Sequence, residues 1–127
     1  MPELNRLMMT RVVATKEALD TAVFPQNHQT IRIAPDEVLI HPPVADISVD
    51  DPYAIIVSDG SFAGVWLSDA ESRTLLSHNC EWEPPEKRPS FAQGAVGGIA
   101  TKIIFEEEQS LFIVPAAMAA EFEERLP

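Results

Sequence analysis

A histidine, an asparagine and a cysteine stand side by side at His78, Asn79 and Cys80. A Cys–His pair is the composition of a thiolate nucleophile with its base. Side chains two apart on a helix do not face each other, and no third orienting group is evident. The plain reading is a helix end with a buried thiol. His28, His41 and His78 are the three histidines of the chain. No H-x3-H or H-E-x-x-H spacing joins them, so a metal site would need them to converge in space with carboxylates. No metal ligand set is assigned.

The glycine-rich stretch GAVGGIATK invites a phosphate-loop reading, which fails on spacing. That loop needs G-x-x-x-x-G-K-[ST], and here Thr101 precedes Lys102 and both lie too far from Gly98. Glycines inside a strand, at a bulge or a close backbone approach, account for Gly97-Gly98. Glu106-Glu107-Glu108, Asp50-Asp51 and the trio Glu81, Glu83 and Glu86 have the composition of a cation site. Consecutive carboxylates on a hairpin tip or loop read more simply as solvated charge. No pair is set in an apolar environment that would separate a general acid from a general base. No catalytic residue is assigned.

Trp82 and Phe91 lie in CEWEPPEKRPSFAQ (Cys80 to Gln93), a segment with three prolines and neither helical nor strand periodicity. It reads as a long loop. Two roles are open for the aromatics: they plug the core of their own domain, or they anchor a partner. Lys87 and Arg88 interrupt the acidic flank and can set the orientation of such a contact. Trp82, Phe91, Lys87 and Arg88 are therefore the candidate partner-contact residues.

A chain of 127 residues has the size of one ordinary domain. About two-thirds of its unfolded surface is expected to be buried, enough for a core without staples. Lys plus Arg is 9 and Asp plus Glu is 20, a net charge of −11. Phosphate backbones and anionic membrane surfaces repel such a chain, which argues against nucleic acid and membrane as partners. The single cysteine excludes an internal disulfide and Cys-rich metal sites. No apolar stretch approaches the roughly 20 residues of a membrane span, and the start carries an early Glu3 and no apolar signal core. The expected compartment is the cytoplasm.

The elements that must position these residues are punctuated by proline and glycine. Leu4 to Val13 reads as a strand, with helix the alternative, and Thr15 caps a short helix ended by Pro25. Thr30 to Ala34 and Val38 to His41 are the arms of a hairpin turned at Pro35-Asp36-Glu37. Pro52 to Val57 is a strand broken at Ser58-Asp59-Gly60, and Ser61 to Leu67 is the next. Ser68-x-x-Glu71 is a capping box that starts a helix. Ala95 to Glu106 and Ser110 to Val114 are strands with a tip at Glu107 to Gln109, and Pro115 opens a final helix striped by Met118, Phe122 and Leu126.

Two halves thus read alike, each strand–helix–strand–strand. Neither buries a sheet face and a helix face alone, so they pack together. The expected fold class is α+β: one domain over residues 1–127, ferredoxin-like, an antiparallel-rich sheet with helices on one face.

In order and spacing, IAPDEVLI (Ile33 to Ile40), VSDGSFAGVWLSDAESRTLLSHNC (Val57 to Cys80), PSFAQGAVGGIATKIIF and SLFIVPAAMAAEFEERL resemble the gamma subunit of heterotetrameric sarcosine oxidase. That family is related to the glycine cleavage T-protein fold. The match runs from about Leu7 to Leu126 and is strongest from Asp59 onward. Its members carry tryptophan where this chain has Val38, and a helix where this chain has only HPPVADISVDDPYAIIV.

The resemblance implies a non-catalytic accessory subunit in one-carbon metabolism. Sarcosine demethylation, flavin, NAD and folate would all sit on the larger subunits, with no cofactor on this chain. The alternative is a stand-alone folate-binding or one-carbon-transfer domain. A homo-oligomeric domain of neither kind is the third reading.

Overall fold

A computed structural model describes residues 2–127; Met1, the first residue of the 1–127 domain expected above, lies outside them. The chain divides into two compact units. One is Leu7–Gly60, and the other is Ser61–Pro127 with the residues up to Arg6.

In the Leu7–Gly60 unit, β1 (Asn5–Val13), α1 (Lys16–Thr21), β2 (Gln29–Ala34) and β3 (Glu37–His41) follow in the expected order. β3 lies between β1 and β2 and is antiparallel to both, with Val12 opposite Val38 and Ile31 opposite Leu39. β1 and β2 therefore run parallel, joined by α1, with an antiparallel strand inserted between them. The Thr15 hydroxyl accepts the Ala18 N–H at 3.1 Å and starts α1. Val12, Ala18, Leu19, Val38 and Ile40 are buried together, and Val44, Ile47, Val49 and Ala54 of the following segment pack onto them. The β2–β3 turn at Pro35-Asp36 is braced by Arg32, whose Nη2 donates to the Pro35 carbonyl at 2.7 Å.

β4 (Ile55–Ser68) is a single fourteen-residue strand. The break expected at Ser58-Asp59-Gly60 is absent. Extended backbone accommodates all three residues, and Arg11 ion-pairs with Asp59 at 2.8 Å. β4 is followed by α2 (Asp69–Asn79), β5 (Ser90–Val96), β6 (Ile99–Phe105), β7 (Gln109–Pro115), a 3-10 turn and α3 (Ala119–Glu123). In this unit the order is β4-β7-β6-β5 and every ladder is antiparallel. Val65, Leu75, Ile103, Phe112 and Phe122 are at the heart of its core.

Residues 90–93, expected as the end of a loop, belong to strand β5, which is in register with β6 from Ser90↔Phe105 to Val96↔Ile99. Gly97-Gly98 is not a bulge within one strand but the two-residue turn between β5 and β6, with φ of 58° and 79°. Both central residues of such a turn need positive φ, the conformation glycine adopts without a Cβ clash. The second half is therefore strand–helix–strand–strand–strand and not a copy of the first. The architecture is mostly antiparallel sheet with a few short helices, α+β.

Candidate functional site

The capping box sets the start of α2. Ser68 Oγ accepts the Glu71 N–H at 3.1 Å, and Glu71 Oε1 accepts the Ser68 N–H at 2.9 Å. Fixed this way, Asp69, Arg73, Leu76 and Ser77 share one face at helical spacing. They form one wall of a groove of about 730 Å³. The opposite wall is the 80–88 segment. Cys80 ends the helix, its N–H donating to the Leu76 carbonyl at 3.0 Å. Its thiol donates to the Trp82 carbonyl at 3.0 Å.

Trp82 turns back over β5. Its indole Nε1 donates to the Ala95 carbonyl at 2.8 Å, and its ring packs against the core. Arg88 lies with its guanidinium carbon 4.5 Å from the centre of the Phe105 ring, and its Nη1 donates to the Pro85 carbonyl at 2.8 Å. Arg73 is paired with Asp69 at 2.8 Å. With Glu83, Glu86 and Glu107 also on its walls, the groove has four carboxylates against two guanidinium groups.

The candidate contact residues are thus placed differently from one another. Trp82, Phe91 and Arg88 are half-buried, Phe91 on β5 opposite Ile104, while Lys87 is exposed. His78 and Cys80 line a second cleft, but neither is the other's partner: His78 Nδ1 meets the Thr74 carbonyl at 2.9 Å. His28 and His41 belong to the other unit. Among the described residues no cluster of three or more His, Cys, Asp or Glu side chains is arranged to hold a metal ion. Among the described residues no helix is long and apolar enough to cross a membrane.

A second surface was not singled out from the sequence. Tyr53, Ile55, Ile56 and Val57 are 88%, 55%, 41% and 46% exposed. Successive strand residues point to opposite faces, so the start of β4 is open on both. The signal was present in PYAIIV, an apolar run with no polar alternation directly after the acidic VADISVDDP. The geometry ahead of the run is well fixed. Asp51 accepts the Tyr53 N–H at 2.8 Å and the Thr15 N–H at 3.0 Å, tying the turn to the cap of α1. Val44 and Thr10 exchange hydrogen bonds at 3.0 and 3.2 Å.

No protein-family model matches this chain, and no curated protein matches it.

Proposed function

We propose that this chain is a non-catalytic accessory subunit of the kind represented by the gamma subunit of heterotetrameric sarcosine oxidase. Chemistry, flavin, NAD and folate belong to larger partner subunits in this reading. The observation that carries it is the apolar run Tyr53 to Val57 held in solvent at the start of β4. Contiguous exposed apolar side chains mark interaction surfaces. The ordered resemblance from Asp59 onward points to the same class. A cytoplasmic location goes with it. The ferredoxin-like reading of the fold has its support in the Leu7–Gly60 unit, where two parallel strands joined by a helix flank an antiparallel third.

Purification of the native protein from its source tests the proposal. A co-eluting larger flavoprotein is the expected result; recovery only as a free monomer or self-dimer overturns it.

The second reading, a stand-alone folate-binding or one-carbon domain, draws on the 730 Å³ groove with Trp82, Leu76 and Pro84 on its walls. Its four carboxylates oppose an acidic glutamyl tail. Calorimetry with tetrahydrofolate separates the two, since tight binding by the isolated chain favours the second.

A further inference from the structure

Between Leu7 and Gly60 the chain has eight acidic side chains against three basic ones, a net charge of −5. All three cations are engaged inside that unit. Arg11 pairs with Glu37 and Asp59, while Lys16 and Arg32 both pair with Asp20. The charge left facing solvent is therefore negative. Asp46 and Asp50 form no ion pair among the described residues. They rim a groove of about 610 Å³ walled by Ala22, Phe24 and Ile47, with Val23, 87% exposed, also on its lining. A few residues on, the chain puts Tyr53, Ile55, Ile56 and Val57 into solvent.

We propose that the Asp46–Val57 surface, with the Val23 groove, docks a protein partner whose contact surface is both apolar and basic. The partner's apolar side chains cover Tyr53 to Val57, and a lysine or arginine stem lies along Phe24 and Ile47 with its charge at Asp46 and Asp50. A second copy of this chain is a poor occupant. A two-fold interface sets the same patch against itself, bringing Asp46 and Asp50 of both copies together between molecules of net charge −11. The hydrogen bonds that Asp51 accepts from the Thr15 and Tyr53 N–H groups and the packing of Ile47 and Val49 hold the segment in place before binding, so little conformational freedom is lost on docking. The inference rests on the accessory-subunit reading and adds the chemistry of the partner.

The test uses the full chain and three ten-residue peptides: alternating Lys and Leu, alternating Lys and Ser, and alternating Glu and Leu. The Lys/Leu peptide is expected to bind at least about tenfold more tightly than either of the others. Tyr53→Ser with Ile56→Ser, at exposed positions outside the core, should weaken it by about tenfold or more. Asp46→Asn with Asp50→Asn should weaken it at low salt and make little difference at high salt. Equal binding of the Lys/Ser peptide overturns the proposal, as does binding untouched by both double variants. A wild-type dimer that Tyr53→Ser/Ile56→Ser dissolves also overturns it. Co-purification with the flavoprotein distinguishes the two ideas. If the Tyr53→Ser/Ile56→Ser protein still brings the flavoprotein down, the docking surface fails and the accessory role stands. If the wild type binds the Lys/Leu peptide selectively but never a flavoprotein, the accessory role fails and the surface stands.

Discussion

Trp82 lies across Gly94. A Cβ added at Gly94 would stand 2.5 Å from indole Cε2 and 2.6 Å from Nε1, and that same nitrogen bonds the Ala95 carbonyl. A glycine on a strand thus receives an aromatic cover from outside the strand. Gly94→Ala should displace the ring and cost about 1–3 kcal/mol, read from urea unfolding with tryptophan fluorescence as a second probe. Trp82→Phe keeps the cover and loses the hydrogen bond, for about 1 kcal/mol. An unperturbed indole signal in Gly94→Ala would show that the ring was not seated there.

The two glycines of the β5–β6 turn should respond unequally. Both have positive φ, but a Cβ at Gly97 would collide with Arg125 Nε, whereas nothing lies within 4 Å of one at Gly98. Gly98→Asn should be close to neutral, because asparagine tolerates the left-handed region. Gly97→Ala should lose about 1 kcal/mol or more, by backbone strain and by pushing Arg125 aside. Equal losses at the two positions would contradict the turn geometry.

Glu71 gives a pH signature. The Ser68 backbone N–H first, and its side chain second, lower the Glu71 pKa from its ordinary 4.5. The folded state then binds this proton less readily than the unfolded chain does. The contribution is complete above 4.5 and is lost as pH falls through the lower folded value. Glu71→Gln should remove that part of the acid limb in stability-against-pH curves. Ser68→Ala should cost about 1 kcal/mol at neutral pH through the lost cap.

His41 should titrate in the same direction for a different reason. Burial, and then the neighbouring His28, lower its pKa from 6.5, and Nδ1 has no partner among the described residues. Its contribution is present above 6.5 and fades as pH falls below it, since the unfolded imidazole takes the proton more easily. NMR should place the His41 midpoint below 6.5, and His28→Ala should move it upward. A midpoint above 6.5 would rule out the buried neutral ring.

The Leu7–Gly60 unit was largely legible in the sequence because its signals are local. Thr15 at a helix start, Pro35-Asp36 at a turn and period two in Thr30 to Ala34 each act within a few residues. β5 was not. Pro84, Pro85 and Pro89 mark a loop, and the strand that follows them, SFAQGAV, sets Ser, Ala, Gln and Gly around a single aromatic, while its pairing with β6 is a tertiary fact. Gly97-Gly98 reads equally as bulge or turn until the partner strand is known, although two glycines between apolar runs are also a hairpin signal. The Tyr53 to Val57 sequence predicts a strand and no more, since hydrophobic pattern reports an apolar face and not whether anything covers it. Trp82 stands out by type and place; its cover over Gly94 depends on how the 80–89 segment folds back on β5, which no local pattern encodes.

The pairing of β4 with β7 carries a consequence for how the chain assembles in time. β5 and β6 meet across two residues and β6 and β7 across three, but Ser68 pairs with Gln109 and Phe62 with Pro115, 41 and 53 positions apart. Closing a long loop costs entropy before its contacts repay it, so the local hairpins have the kinetic advantage. Pulse-labelled hydrogen exchange should find β5–β6 amides protected ahead of those of the β4–β7 ladder. The apolar inner edge of the meander then waits unpaired for β4, making this interval the one in which the folding chain is most open to aggregation.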